Sequence, residues 1–192
     1  DGYIALAPDL YWREGTVDPV DTRAVVQRMG GVPDIRAIGD LEGAATFLKN
    51  HPTCSGTLGS IGHCSGGRHS LLFACNSSSL RAAIDCYGGR VVTDELTPAM
   101  PKAVVDMIPD LDCPVLGLFG ASDGNPTPDQ VERLESELIK HKKRHEFINY
   151  PEPVGHAFFA DYRPSYNQEA ATDGWMRIQA FFEEHLKNYA KN

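Results

Sequence analysis

Five short segments of the chain are rich in apolar residues and are bounded by glycine, proline or polar residues, a pattern typical of buried strands. These segments are residues 3–7, 57–61, 81–87, 115–119 and 145–150. The first ends at Pro8 and the fourth is entered through Pro114, so proline marks a boundary of each. We therefore predict five strands, distributed over the whole length of the chain.

Between these segments, apolar residues recur every three or four positions, as they do on one face of an α-helix. One such stripe follows Asp34 and consists of Ile35, Ile38, Leu41, Ala45 and Leu48. Another lies near the C-terminus and consists of Ala171, Trp175, Ile178, Phe182 and Leu186. A helix is also predicted over residues 65–74, and the sequence Thr127-Pro-Asp-Gln130 predicts a capping box at the start of a further helix.

Strands and helices thus alternate along the chain, which is typical of α/β domains with a mostly parallel sheet. Right-handed crossovers place helices on both faces of such a sheet, so we predict one doubly wound α/β domain over residues 1–192. Residues 92–109 have the least regular pattern and predict a loop or a small excursion over the site. Five strands are few for this architecture, and the sequence opens without Met on the first apolar segment. We therefore expect further strands of the domain upstream.

Charge and cysteine content narrow the range of partners. The 192 residues carry a formal net charge of −8, which disfavours a nucleic-acid partner or an anionic membrane surface. No apolar run approaches the ~18 residues of a membrane span. The cysteines lack the C-x-x-C spacing of zinc sites, so no metal is expected, and their apolar surroundings suggest a reducing cytoplasm. They are Cys54, Cys64, Cys75, Cys86 and Cys113.

The most informative motif is Gly62-His63-Cys64-Ser65-Gly66, between a predicted strand and a predicted helix. A sharp turn at this point, with glycines on either side, matches the frame G-x-S-x-G of the nucleophile elbow, with cysteine in place of serine. The helix N-terminus favours a thiolate at Cys64, and the Ser65 N–H can face a developing oxyanion. The motif alone also fits a buried structural thiol or, less well, a disulfide.

A nucleophile of this kind needs a base and a group that orients the base. Asp123 follows the strand "PVLGLFG", and His156 follows the strand "HEFINYP". Both therefore belong to loops at the carboxyl ends of strands, where open α/β sheets build their sites. Taken alone, Asp123 would be interpreted as an ordinary carboxylate in a turn, and His156 as an ordinary histidine in a surface loop. In the order nucleophile, acid, histidine, the three predict a catalytic triad.

The chain resembles the dienelactone hydrolase family of α/β-hydrolases. The resemblance rests on "GYIALAPDLYWR", "GHCSGGR", "CPVLGLFGASDGNPTP" and "GHAFFADYRPSYNQEAATDGWMRIQAFFEEHL", which together run from one end of the sequence to the other. It implies an α/β-hydrolase-type, doubly wound, mostly parallel sheet that lacks its N-terminal strands in the residues given. It also implies a Cys64–His156–Asp123 triad and cofactor-independent hydrolysis of a small ester or lactone that could bear a carboxylate.

The resemblance further implies that Arg13, in the "PDLYWR" segment, binds the substrate carboxylate. A second carboxylate-binding arginine follows the histidine by four residues in some members, where this chain has Ala160, and the nearest arginine is Arg163. His63 stands where the family often has an aromatic residue. The upstream strands would supply a second oxyanion-hole donor and a glutamate that influences the cysteine.

Two other functions fit parts of the sequence. A glutamine amidotransferase also uses a cysteine elbow, but it would need a His-x-Glu pair, and His156 is followed by Ala157 and Phe158. A non-catalytic α/β-hydrolase scaffold is the other alternative. Tyr87, just after a strand, is a candidate pocket wall or, more simply, a packing residue. The sequence makes no prediction about the oligomeric state.

Overall fold

A computed structural model of the protein describes residues 2–15 and 19–187. Its sheet consists of four parallel strands in the order in which they occur along the chain: β1 (Leu58–His63), β2 (Leu80–Cys86), β3 (Val115–Gly120) and β4 (His145–Tyr150). Because the strands are parallel, their carboxyl ends lie at one edge of the sheet, and the loops that leave this edge can share a site.

Five α-helices lie within these residues: α1 (Pro19–Arg28), α2 (Asp34–Lys49), α3 (Ser65–Asn76), α4 (Pro128–Lys140) and α5 (Gln168–Phe182). Short 3-10 helices cover Trp12–Glu14 and Val104–Asp110, and a π-helical turn, Glu183–Lys187, follows α5. The predicted capping box is present at α4, where the Thr127 hydroxyl accepts from the Gln130 N–H and the Gln130 side chain accepts from the Thr127 N–H. None of these helices is long and apolar enough to cross a membrane.

The sheet separates two apolar cores, because successive residues of a strand point to opposite faces. In β3, Val115 and Phe119 face the core formed with α3 and α4, whereas Leu116 and Leu118 face the core formed with α5. All four side chains are at most 1% exposed. Helices cover both faces, so the prediction of a doubly wound, parallel α/β fold is confirmed.

The predicted strand over residues 3–7 is wrong. This segment belongs to no sheet in the structure, and its apolar side chains Tyr3, Ile4 and Leu6 are each about 40% exposed. A strand requires a hydrogen-bonded neighbour, and among the described residues β1 pairs with β2 alone. Four of the five predicted strands are therefore observed.

The apolar stripe of α2 is also shorter than predicted. Ala45 is buried and Ile38, Leu41 and Leu48 pack against the core, but the Ile35 side chain is 81% exposed. Ile35 lies in the first turn of α2, and in that turn Ala37 is the fully buried residue. The helix therefore meets the core along a line that begins one turn later than the periodicity indicated.

Candidate active site

Cys64 lies at the junction of β1 and α3, in a backbone conformation that residues other than glycine rarely adopt. Its φ is 58° and its ψ is −123°. The Cys64 N–H donates to the Cys86 carbonyl at 3.0 Å, and the Cys64 carbonyl accepts from the Gly67 N–H at 3.0 Å. Strained conformations of this kind persist where the surrounding structure holds them and are common at functional sites. The Cys64 side chain is exposed at the carboxyl edge of the sheet.

The two glycines of the motif have different roles. A Cβ added at Gly62 would lie 1.9 Å from the Gly66 carbonyl oxygen, whereas a Cβ added at Gly66 would meet no atom within 4 Å. The close approach of the strand and the first turn of α3 therefore requires glycine at 62. The sequence indicated that both glycines make the turn possible, and the steric requirement falls on the first.

A buried ion pair fixes the first turn of α3 to α2. The Arg68 guanidinium donates to both oxygens of Asp34, at 2.7 and 2.9 Å, and each side chain is about 5% exposed. A buried pair gains little net free energy after desolvation, but removing one partner leaves an unpaired buried charge. The helix that carries the elbow is therefore held in one position relative to α2.

His156 and Asp123 meet above the ends of β3 and β4. The His156 Nδ1 lies 2.8 Å from the Asp123 Oδ2, and the Asp123 side chain is only 2% exposed. The other carboxylate oxygen accepts from the Asn125 N–H at 2.8 Å. With Nδ1 on the carboxylate, the imidazole is oriented with Nε2 available to the thiol of Cys64.

The loops that carry these two residues are joined to each other. The Ser122 N–H donates to the Val154 carbonyl at 2.8 Å, and the Ala121 N–H donates to the Tyr150 carbonyl at 2.8 Å. A Cβ at Gly120 would lie 2.5 Å from the Val154 carbonyl oxygen, so glycine permits this approach.

Cys64 and His156 change each other's protonation. Hydrogen bonding to His156 holds the pKa of the Cys64 thiol below its ordinary value, and the Ser65 N–H and the charge of Arg163 act in the same direction against partial burial. The hydrogen bond that His156 donates to Asp123, followed by that with Cys64, raises the pKa of His156 to about 10. Both shifts favour a thiolate paired with an imidazolium at neutral pH.

The other cysteines have a different environment. Cys75, Cys86 and Cys113 are buried, and burial raises the pKa of the Cys75 thiol to about 12 and that of Cys113 to about 11. The pKa of the Cys86 thiol is also raised, mainly by burial. Cys54 is partly buried, and all five cysteines are free. Thiolate character therefore distinguishes Cys64 from these three buried thiols.

A chain of aromatic side chains packs against the His156 imidazole. The Tyr87 ring packs edge-on against the His156 imidazole, with 5.1 Å between ring centroids, and its hydroxyl lies 3.1 Å from the His63 Nδ1. The His63 ring in turn contacts Phe159 at 5.2 Å. Tyr87 is 3% exposed, so most of its ring is occupied by packing rather than by an open pocket.

The two candidate carboxylate-binding arginines have different surroundings. Arg13 donates to both oxygens of Asp40, at 2.7 and 2.8 Å, so its guanidinium is already bound to a carboxylate. Arg163 is exposed, with its guanidinium 5.8 Å from the centroid of the Tyr162 ring. It is also close enough to lower the pKa of the Cys64 thiol. Arg163 is thus the arginine whose charge reaches the nucleophile position.

Sequence reasoning missed two polar features beside the elbow, the Asp34–Arg68 pair and the buried Asp85 in β2. A signal for Asp85 was present, since a carboxylate stands within the apolar run "RAAIDCYGG". A charged residue in a buried strand indicates either a partner or a function. The Asp34–Arg68 pair had no comparable signal, because its members are 34 positions apart and each is common at a helix end.

Comparisons with known proteins identify relatives of this chain. The profile of the dienelactone hydrolase family matches residues 1–186. A protein from Methylorubrum extorquens, provisionally named carboxymethylenebutenolidase, is 40% identical over 96% of this chain and 63% of its own length. A protein of the same provisional name from Escherichia coli K12 is 37% identical over 96% of this chain and 68% of its own length. The chain thus spans about two thirds of these relatives.

Solved structures give the same result. A provisionally named dienelactone hydrolase from Klebsiella pneumoniae superposes with a TM-score of 0.80 at 37% identity, covering 91% of this chain and 72% of the other. A dienelactone hydrolase-like promiscuous phosphotriesterase from metagenomic libraries superposes with a TM-score of 0.70 at 19% identity, covering 88% and 69%, and shows a shared fold. From its sequence and its structure, the chain belongs to the dienelactone hydrolase family.

Proposed function

We propose that the protein hydrolyses the ester or lactone bond of a small molecule, with Cys64 as nucleophile, His156 as proton carrier and Asp123 as the group that orients His156. The observation that carries this proposal is the 2.8 Å hydrogen bond between His156 Nδ1 and Asp123 Oδ2, together with the hydrogen bonding of His156 that favours the Cys64 thiolate. The relatives named for lactone hydrolysis support the choice of reaction class.

In the first half of the reaction, the Cys64 Sγ attacks the carbonyl carbon and the carbonyl π electrons move to oxygen. The Ser65 N–H, at the N-terminus of α3, donates to this oxyanion. The tetrahedral intermediate then collapses, the C–O bond breaks, and the imidazolium of His156 protonates the leaving oxygen. Because the pKa of His156 is raised to about 10, the proton needed at this step is already in place, and the product is a thioester.

In the second half, neutral His156 accepts a proton from water as the water oxygen attacks the thioester carbonyl. Collapse of this second intermediate breaks the C–S bond and releases the acid, and the Cys64 thiolate and the His156 imidazolium form again. Asp123 holds the Nδ1–H throughout and stabilises the imidazolium without accepting its proton. All steps use side chains and backbone groups of this chain, with no cofactor and no metal ion.

Arg163 is proposed to bind a carboxylate of the substrate. Its charge is the smallest of the causes that lower the pKa of the Cys64 thiol, so an anionic group of the substrate held there would lie within electrostatic range of the nucleophile. Arg13, the arginine that the family resemblance indicated, would first have to exchange Asp40 for the substrate. That exposed pair gains little free energy from its charges, so the exchange is feasible but adds a step.

Arg163→Ala is expected to raise KM for a carboxylate-bearing lactone roughly tenfold, the contribution of one hydrogen bond to a charged group. The kcat should change less, and hydrolysis of a neutral aryl ester should change far less than that of the anionic substrate. Arg13→Ala is expected to raise KM by a smaller factor, and Arg133→Ala, an exposed arginine of α4, serves as the matched control. Steady-state kinetics on both substrates measure these effects. An unchanged KM for the anionic substrate in Arg163→Ala would remove Arg163 from the site.

The pH dependence of alkylation tests the thiolate–imidazolium pair. Because the pKa of Cys64 is lowered in the folded protein, the thiolate persists as the pH falls through the ordinary thiol range near ~8.5. Iodoacetamide should therefore modify Cys64 rapidly at pH 7, with a midpoint of the rate profile clearly below ~8.5. Peptide mass spectrometry at timed intervals identifies the modified residue.

His156→Ala removes the largest cause of this shift and is expected to move the midpoint upward, toward that of an ordinary thiol, which slows alkylation at pH 7 roughly tenfold. The three buried cysteines, whose thiols have raised pKa values, give an internal reference in the same sample. A wild-type midpoint at the ordinary value, or a midpoint that His156→Ala leaves in place, contradicts the proposed pair.

A further inference from the structure

Asp85 carries a buried carboxylate that the hydrolytic scheme does not use. It is the penultimate residue of β2 and is 1% exposed. One oxygen, Oδ1, accepts from the Gly88 N–H at 2.7 Å. The other oxygen, Oδ2, is buried and has no hydrogen-bond partner in the described part of the chain. A buried carboxylate with a free oxygen costs free energy, so its presence at this position calls for a function.

The carboxylate fills a space that two glycines leave open. Asp85 lies opposite Gly62 in the register of β1 and β2. A Cβ at Gly67, in the first turn of α3, would lie 2.3 Å from Oδ1, and a Cβ at Gly88 would lie 2.4 Å from the same atom. The side chain therefore sits between the helix that carries Cys64 and the turn that follows β2.

The turn of residues 85–88 directs the Tyr87 side chain toward His156. Tyr87 has a φ of 44°, a left-handed conformation that is unfavourable for a bulky residue. Two hydrogen bonds hold the turn in place, from the Gly88 N–H to Asp85 and from the Tyr87 N–H to the Leu118 carbonyl at 2.9 Å. In this conformation the Tyr87 ring lies edge-on against His156, 5.1 Å away.

We propose that Asp85 is a positioning residue, whose carboxylate holds the turn of residues 85–88 so that Tyr87 supports the imidazole of His156 in its orientation toward Cys64. The proposal rests on the proposed hydrolytic function. It explains the buried carboxylate of Asp85 and the strained backbone of Tyr87 together, because the carboxylate stabilises the conformation of the tyrosine. Asp85 touches neither the substrate nor the reacting atoms.

Among the residues that the structure describes, none places an opposite charge beside Asp85 to neutralise it. Gly67 and Gly88 face the carboxylate from α3 and from the turn, the Cys86 thiol follows it in β2, and the Arg68 guanidinium is bound to Asp34. Burial accordingly raises the pKa of Asp85 to about 7. A raised pKa of an acid favours folding below the pKa of the unfolded state, near ~4, and this stability is lost as the pH rises through about 7.

The test compares three variants by a readout that does not require turnover. In Asp85→Asn the amide oxygen can still accept from the Gly88 N–H, whereas Asp85→Ala removes the acceptor and Tyr87→Leu removes the ring. Asp85→Ala and Tyr87→Leu are each expected to slow alkylation of Cys64 at pH 7 roughly tenfold, because a His156 that is less well oriented lowers the Cys64 pKa less. Asp85→Asn should stay within about threefold of the wild type.

The double variant Asp85→Ala/Tyr87→Leu decides whether Asp85 acts through Tyr87. If it does, the double variant alkylates no more slowly than Tyr87→Leu, because coupled residues are not additive. Additive losses, or a Tyr87→Leu variant with wild-type alkylation, overturn the proposal. The alkylation rate of Tyr87→Leu can be measured even if Asp85→Ala does not fold. Circular dichroism checks that each variant is folded. The Tm of the wild type is expected to fall as the pH rises through 7, and the Tm of Asp85→Asn should not show this fall.

Hydrolysis of an aryl ester gives a separate measurement. The kcat of Asp85→Ala is expected to fall roughly tenfold with KM nearly unchanged, since a misplaced proton donor affects the chemical step. A wild-type protein that hydrolyses no ester or lactone would refute the proposed function, and the alkylation series would still decide the role of Asp85.

Discussion

Cys64→Ala is expected to lower the rate of ester and lactone hydrolysis by at least about 10⁴-fold, because no other group of the site can form the acyl intermediate. The elbow should survive the change. Its conformation depends on Gly62, on the hydrogen bond from the Cys64 N–H to Cys86 and on the Asp34–Arg68 pair, none of which uses the thiol. The variant should therefore fold and have a Tm close to that of the wild type.

Cys54→Ala is the matched control, because Cys54 is the other cysteine that is not fully buried, and it should keep wild-type kinetics. The measurement is the initial rate with a dienelactone and with an aryl ester, accompanied by intact-mass detection of the thioester in the wild type. Hydrolysis by Cys64→Ala at a rate near that of the wild type would falsify the nucleophile assignment. Loss of activity in Cys54→Ala alone would point to another site.

Asp123→Asn should have the second largest effect, a loss of up to about 10⁴-fold in kcat, as expected when the residue that fixes the tautomer of a catalytic histidine is made neutral. The amide of asparagine fits the same space, and its oxygen can still accept from the Asn125 N–H. It cannot stabilise the imidazolium, however, and the hydrogen bond that His156 donates to Asp123 is the largest cause of the raised pKa of His156. His156 would then lose more readily the proton that it has to donate to the leaving group.

This change has a characteristic signature in pH. Where the wild type keeps a protonated His156 to a pH of about 10, Asp123→Asn should lose the imidazolium at a lower pH, so the pH range in which the imidazolium and the Cys64 thiolate coexist should become narrower. Asp129→Asn, an exposed carboxylate in the first turn of α4, is the control for charge alone. Equal rates and equal pH profiles for Asp123→Asn and the wild type would exclude the orienting role.

The order of the elements and the place of the candidate site were predictable because both follow from local patterns. The positions of Cys64, Asp123 and His156 depend only on which residues follow which strand, and parallel strands bring those ends together. The structure places the three residues accordingly, with His156 bound to Asp123 and acting on Cys64. The doubly wound sheet follows from the alternation of strands and helices in the same way.

Features that depend on partners distant in sequence were not predictable. The apolar segment 3–7 has the composition of a strand, but pairing decides whether a strand forms, and the described residues offer it no neighbour. Arg13 has the sequence context of a ligand-binding residue, yet Asp40, 27 positions away, occupies it. The distinction between Gly62 and Gly66 depends on how closely the Gly66 carbonyl approaches Gly62, where an added Cβ would lie 1.9 Å from the carbonyl oxygen.

The hydrogen bonds that join the loops after β3 and β4 have a consequence for motion. Ser122 and Val154 are bonded directly, one residue before Asp123 and two residues before His156. A displacement of either loop therefore carries the other with it, and acid and histidine move as one body. The distance between their side chains is thereby held constant, whereas Cys64 reaches the site from a different pair of elements, β1 and α3. A substrate that enters between the cysteine and the histidine would therefore leave in place the contact that keeps the histidine charged.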